Sequence, residues 1–317
     1  MEAGGSSSSR GTGTGEFTVY GLTQNDDKQL VDSTIPFRGS VVRIIRVSKE
    51  EDVIGTSTAF LVFRGEKRSL FLTCDHNFMK KKMGEVIRFS NGDKKNYPVE
   101  KILYRDGARD LLLFSVKGDV PENPCVEFST DKIEQHDKVV IVGHTTPSLP
   151  LGRNGELVPV LVNQPGLYRG RISTTFIRED IQKYYEKITY NFPVAGESVG
   201  GAPLFRDGKV IGVHLARDGR NGRSDAVSAR TVLQVLREWL GVGEDSQATI
   251  KELLQIVYDK IKPKVPNGML TCRPSPMFLV FASNIQSSDF FTAVEFLLSN
   301  HPIFLCSQLS YHPIGRS

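Results

Sequence analysis

The chain has 317 residues, 39% of them hydrophobic, and 40 Lys and Arg against 36 Asp and Glu, for a net charge of +4. That length suits one main globular domain with material for a sizeable core, and so small a positive excess excludes, on charge grounds, nucleic acid as the main partner. Cys74, Cys125, Cys272 and Cys306 form no Cys-x-x-Cys pair, so neither a zinc site nor a disulfide framework is expected, and reduced thiols fit an intracellular, cytoplasmic or nuclear compartment.

In chain order, residues 1–33 form a Gly- and Ser-rich tail and lead-in that is expected to be disordered at least as far as Glu16. It contains no apolar run of signal-peptide or membrane-span length, and Glu2 with the single Arg10 makes a poor transit peptide. Val41–Val47 and Phe60–Phe63 alternate as half-buried strands do. Ser69-Leu-Phe-Leu-Thr-Cys-Asp-His76 is an apolar strand ending in a histidine. Lys80-Lys81-Lys82, with no interleaved aromatics, reads as a solvated loop rather than a phosphate-binding patch. Cys74, two residues before His76, reads as a buried core thiol. Asp75 is expected to point to the opposite strand face from His76.

Arg109-Asp110 precedes the apolar strand Leu111-Leu-Leu-Phe114, and further strands run over Val139–Gly143, Leu167–Ser173 and Gly208–His214. Turn signals stand at Asn91-Gly92-Asp93, Arg206-Asp207-Gly208 and Asp218–Gly222. Ser228–Leu240 reads as a helix with Val232, Leu233, Leu236 and Leu240 on one face and Gly241 as its stop. Ser246–Ile261 reads as a second helix after the acidic pair Glu244-Asp245. Beyond Lys262 the sequence turns Pro-rich and apolar. Its longest apolar runs, Met277–Phe281 and Phe290–Leu298, are too short to span a bilayer.

The order His76, Asp110 and then a serine in Gly196-Glu-Ser-Val-Gly-Gly-Ala-Pro203 resembles the chymotrypsin/trypsin-like serine protease superfamily. Within it, the chain is most similar to the compact, disulfide-free proteases of the high-temperature-requirement type. The resemblance covers about residues 34–242: Ser69–His76 is similar to the family's Leu-Thr-Ala-Ala-His, Arg109–Val116 to its Asp-Leu-Ala-Leu-Leu, and Gly196–Pro203 to its Gly-x-Ser-Gly-Gly-Pro loop. It implies an all-β fold, a double six-stranded β-barrel with a C-terminal helix, and leaves residues 243–317 as a helix plus an extension.

The resemblance further implies that His76 is the general base, Asp110 its orienting acid and Ser198 the nucleophile, with the Gly196 and Ser198 N–H groups as oxyanion hole. The spacing leaves a second register open. Proline normally follows the nucleophile by three residues, and three back from Pro203 is Gly200, so that Ser198 and Gly200 would line the hole and no side chain could attack. One register makes an intracellular serine endopeptidase, the other a pseudoprotease that binds polypeptide without cutting it. His214, in Gly-Val-His-Leu-Ala, resembles the specificity-pocket histidine of small-RNA-virus proteases that accept glutamine or glutamate. No metal or organic cofactor is called for, the partner is a polypeptide substrate or ligand rather than nucleic acid or membrane, and the sequence leaves the oligomeric state open.

Overall fold

The computed structural model describes residues 19–20, 26–47, 53–78, 84–89, 95–146, 148–150, 157–159, 164–178, 183–191, 199–217 and 223–262. Gly196, Ser198, the Lys80–Lys82 run, the turns at 91–93 and 218–222, the tail through Glu16 and the chain beyond Lys262 lie outside them.

The chain opens with β1 (Val19–Tyr20) and a short helix α1 (Asp26–Asp32), then builds β2 (Val41–Val47), β3 (Val53–Arg64), β4 (Arg68–Thr73), β5 (Gly84–Arg88), β6 (Asn96–Asp106) and β7 (Leu111–Lys117). These last six close an antiparallel barrel in the order β2-β3-β4-β7-β6-β5. After it come β8 (Lys138–Gly143), a small ribbon of β9 (Ser148–Pro150) and β10 (Leu157–Pro159), then β11 (Gly166–Ile177), β12 (Glu186–Asn191), β13 (Pro203–Arg206), β14 (Lys209–Arg217) and β15 (Arg223–Ser228). The order β11-β12-β15-β14-β13-β8 returns to β11 through the β11–β8 pairing, so a second six-stranded barrel closes, with β1 added in parallel to β11. Two helices follow, α2 (Ala229–Leu240) and α3 (Ile250–Ile261). No described helix is long and apolar enough to cross a membrane.

Strand alternation explains why several strands read as unbroken apolar runs. In β7, Leu112 and Phe114 fill the first barrel while Leu111 and Leu113 face the space between barrels and helices. In β8, Val139 and Ile141 fill the second barrel, and Val140 and Val142 join the same intervening core. Both faces are therefore buried, each large side chain contributing about 1.5–3 kcal/mol. The half-buried expectation for β2 fails for the same reason: Val41 to Ile45 are buried on both faces because the second barrel and its connections cover the outside of the first.

Local chemistry sets the helix ends. Ser228 Oγ accepts the Thr231 N–H at 3.1 Å, and Gly241 ends α2 in the left-handed region at φ 69°. The second helix starts at Ile250, where its apolar spacing begins, four residues later than the expected Ser246. Thr249 and Glu252 form a reciprocal capping box there, while Glu244 and Asp245 sit in the preceding turn. Its Tyr258 ring packs at a tilt on Phe63 of β3, centroids 5.2 Å apart, so α3 packs against the first barrel. The Arg206-Asp207-Gly208 signal is a tight hairpin, with positive φ at both Asp207 (49°) and Gly208 (74°).

Candidate active site

The site is assembled from both barrels. At the end of β4 the chain leaves the strand at Cys74 and turns through a 3-10 segment, Asp75–Phe78, that carries His76. Off the strand, Asp75 points not into solvent but to Arg105 of β6, whose Nε donates to Asp75 Oδ1 at 2.5 Å while Nη2 reaches the Phe78 carbonyl at 3.1 Å. That brace ties both ends of the histidine turn to β6.

Asp110 stands at the start of β7 with φ 56°, in the left-handed region that a non-glycine residue occupies at a cost of about 1 kcal/mol or more. The preceding residue holds it there. Arg109 is fully buried and forks onto two carboxylates, Asp106 (2.6 and 2.9 Å) and Glu238 of α2 (2.5 and 2.9 Å), with the Tyr184 carbonyl at 3.3 Å. Burial alone would raise the Asp106 carboxyl, but the Arg109 hydrogen bonds outweigh it and hold the group below its ordinary value.

With the turn so fixed, Asp110 Oδ1 accepts the His76 backbone N–H at 2.8 Å and Oδ2 pairs with Nδ1 at 2.6 Å. The two residues suggested by the resemblance thus meet, and the aspartate orients the imidazole through both its ring and its backbone.

The imidazole's other nitrogen faces Gly200. A Cβ placed on Gly200 would lie 3.0 Å from Nε2 and 3.4 Å from Cε1. The loop is held between both barrels: the Gly200 carbonyl accepts from Thr58 N (3.1 Å) and Asn77 Nδ2 (3.0 Å) on the first, and Gly201 N donates to the His214 carbonyl (2.8 Å) on the second. Gly201 has φ 86°, and any Cβ there would collide with Thr58 O and Thr73 Oγ1. Val199, just upstream, is buried. Thr58 and Asn77, which hold this loop, carry no sequence signal beyond Asn77's place beside His76.

His214 is buried on β14, with Nδ1 2.5 Å from the Tyr190 hydroxyl. Burial lowers its pKa to about 4, the neighbouring His76 adding to the shift and Asp225 opposing it, so the imidazole is neutral at ordinary pH. Burial also pushes the Tyr190 phenol well up. Tyr190, on β12, is the residue that sequence reasoning missed here, since nothing local links it to a strand 24 residues away. Cys74 is fully buried as expected, its Sγ donating to the His214 carbonyl at 3.1 Å, and burial, helped by the Asp110 charge, pushes its thiol pKa well up. Both described cysteines are free.

Residues 57–213 match the family described as the trypsin-like peptidase domain. Among solved structures, an inactive form of the Rv3671c protease is 18% identical, with a TM-score of 0.47, covering 67% of this chain and 95% of that one. A further inactive form of Rv3671c, from M. tuberculosis H37Rv, is 16% identical, with a TM-score of 0.49 and coverage of 74% and 100%. Deg5 is 18% identical, with a TM-score of 0.48 and coverage of 67% and 93%. No curated protein is significantly similar to the chain.

Proposed function

Because the chain belongs to the chymotrypsin/trypsin-like serine protease superfamily, we propose that it is a catalytically silent member whose cleft binds extended polypeptide without cleaving it. The observation that carries this reading is the approach of Gly200 to His76 Nε2. In a serine protease the residue facing that nitrogen supplies the attacking hydroxyl, and a Cβ on Gly200 would already lie 3.0 Å from it. A glycine there has nothing to acylate, so the acyl-enzyme route is closed while the binding surfaces remain.

The neutral His214 supports a glutamine or glutamate side chain as the ligand's anchoring group, since an uncharged imidazole held by a buried tyrosine can hydrogen-bond a side-chain carbonyl without being desolvated as an ion. One observation favours the hydrolase reading, with Ser198 as nucleophile: the His76–Asp110 hydrogen bond is intact. Fluorophosphonate labelling of the full chain, read by intact mass, separates the two. The proposal expects no adduct on the folded protein. An adduct that disappears in both Ser198→Ala and His76→Ala overturns it in favour of an intracellular endopeptidase.

A further inference from the structure

We propose that Cys74, His76 and Asp110 form a binding site for a borderline-soft divalent cation, with zinc the best match. The Cys74 Sγ, a ring nitrogen of His76 and a carboxylate oxygen of Asp110 all lie within 4.8 Å of one another. Thiolate, imidazole and carboxylate are the three donor types zinc takes, and three protein ligands leave a fourth position for water or a ligand. With bonds of about 2.0–2.3 Å, tetrahedral zinc holds its donors roughly 3.3–3.8 Å apart. The longest possible edge of the triangle must close by about 1 Å, and the 2.6 Å Nδ1···Oδ2 pair must open by somewhat less.

The surroundings suit a cation. Cys74 lies fully buried at the floor of the cluster, whereas the side chains of His76 and Asp110 are 39% and 26% exposed, so a cation reaches it from the cleft side. Gly200 presents no side chain against the imidazole. The His76 N–H holds the second Asp110 oxygen, giving that ligand the outer support that metal ligands require, while the Cys74 thiol, pushed well up by burial and by the Asp110 charge, gives up its proton only on binding the cation.

Charge balances on binding. The cation takes the place of the proton between Nδ1 and Oδ2, the imidazole stays neutral with its proton on Nε2, and the thiol releases one proton to solvent. The cluster passes from one net negative charge, on Asp110, to none, with the +2 of the cation set against one thiolate and one carboxylate; a neutral half-buried cluster costs less to desolvate than a charged one. The segment that resembles Leu-Thr-Ala-Ala-His has cysteine where the first alanine would be, so this ligand is the chain's own feature.

The test does not depend on which residue faces His76. The full chain, stripped with a chelator and kept reduced, is titrated with Co²⁺ and then with Zn²⁺. The inference expects one equivalent to produce a thiolate-to-cobalt charge-transfer band with tetrahedral d–d bands, displaced by Zn²⁺. These bands should be lost in Cys74→Ala and retained in Cys125→Ala and in the Cys272→Ser/Cys306→Ser double variant. Alanine at position 74 keeps a small buried residue, and circular dichroism confirms that the variant is folded. A folded wild type without the bands, or bands that survive Cys74→Ala, overturns the inference.

Discussion

Gly201 is where the seating of the loop can be tested most sharply, by Gly201→Ala with Gly241→Ala as its control. Both glycines have positive φ, 86° and 69°, so alanine at either pays the left-handed penalty of about 1–2 kcal/mol. They differ in what a methyl group meets. At Gly241, the α2 stop, nothing lies within 4 Å, whereas at Gly201 the Cβ falls on the Thr58 carbonyl and Thr73 Oγ1, and both of those residues are themselves fully buried. Forcing a methyl into packed backbone adds about 1–3 kcal/mol, giving about 2–5 kcal/mol for Gly201→Ala against about 1–2 for Gly241→Ala. At roughly 2–4 °C per kcal/mol for a domain of this size, the first loses about 4–20 °C in Tm and the second about 2–8 °C. Thermal unfolding followed by circular dichroism reads both. Equal losses would mean that Gly201 does not lie against β3 and β4, and the placement of Gly200 opposite His76 would fall with it.

Gly200→Ser should place a hydroxyl opposite His76 Nε2. Its Cβ, 3.0 Å from Nε2, obliges the partly exposed His76 ring to move by a few tenths of an ångström, and fluorophosphonate labelling dependent on His76 should then rise by about 10²-fold or more over wild type; no gain in a folded variant would refute the assignment of that position. His214 has its pKa lowered from 6.5 to about 4, so its contribution to stability is fully present above about pH 6.5 and is lost as pH falls toward 4, by about 1.4 kcal/mol per pH unit. Urea unfolding from pH 7 to pH 4.5 should show that extra slope in wild type and not in His214→Gln; identical slopes would contradict a neutral buried imidazole. Glu238→Ala strips Arg109 of one of its two carboxylates and, with Asp106 still in place and Glu238 28% exposed, should cost about 1–2 kcal/mol and shift the proton resonance of the His76–Asp110 hydrogen bond. A stability loss with that resonance unmoved would show that the clamp does not position Asp110.

What could be read from the sequence was whatever lies within one or two turns of chain. Ser228 and Gly241 delimit α2 because a cap and a left-handed stop act on neighbouring backbone groups, and Asp207-Gly208 makes its hairpin for the same reason. The strands were legible as apolar runs, and the order of His76 and Asp110 pointed to the double barrel through resemblance. The sequence misread the outside of β2 as exposed and started α3 four residues early, and it left open which residue faced His76.

Those were decided by closure of the barrels, which joins groups far apart in the chain. His76 meets Asp110 across 34 residues and Asn77 meets the Gly200 carbonyl across 123. No local propensity determines such distances, because they follow from strand register and from which face of each barrel packs against the other. So the chain by itself determined the elements, their order and the superfamily they resemble. Only the tertiary structure decided that a glycine backbone lies against the imidazole, that Cys74 lies beneath it beside Asp110, and that His214 is buried on Tyr190, because each of these is a contact between strands whose spacing in sequence carries no information about their approach.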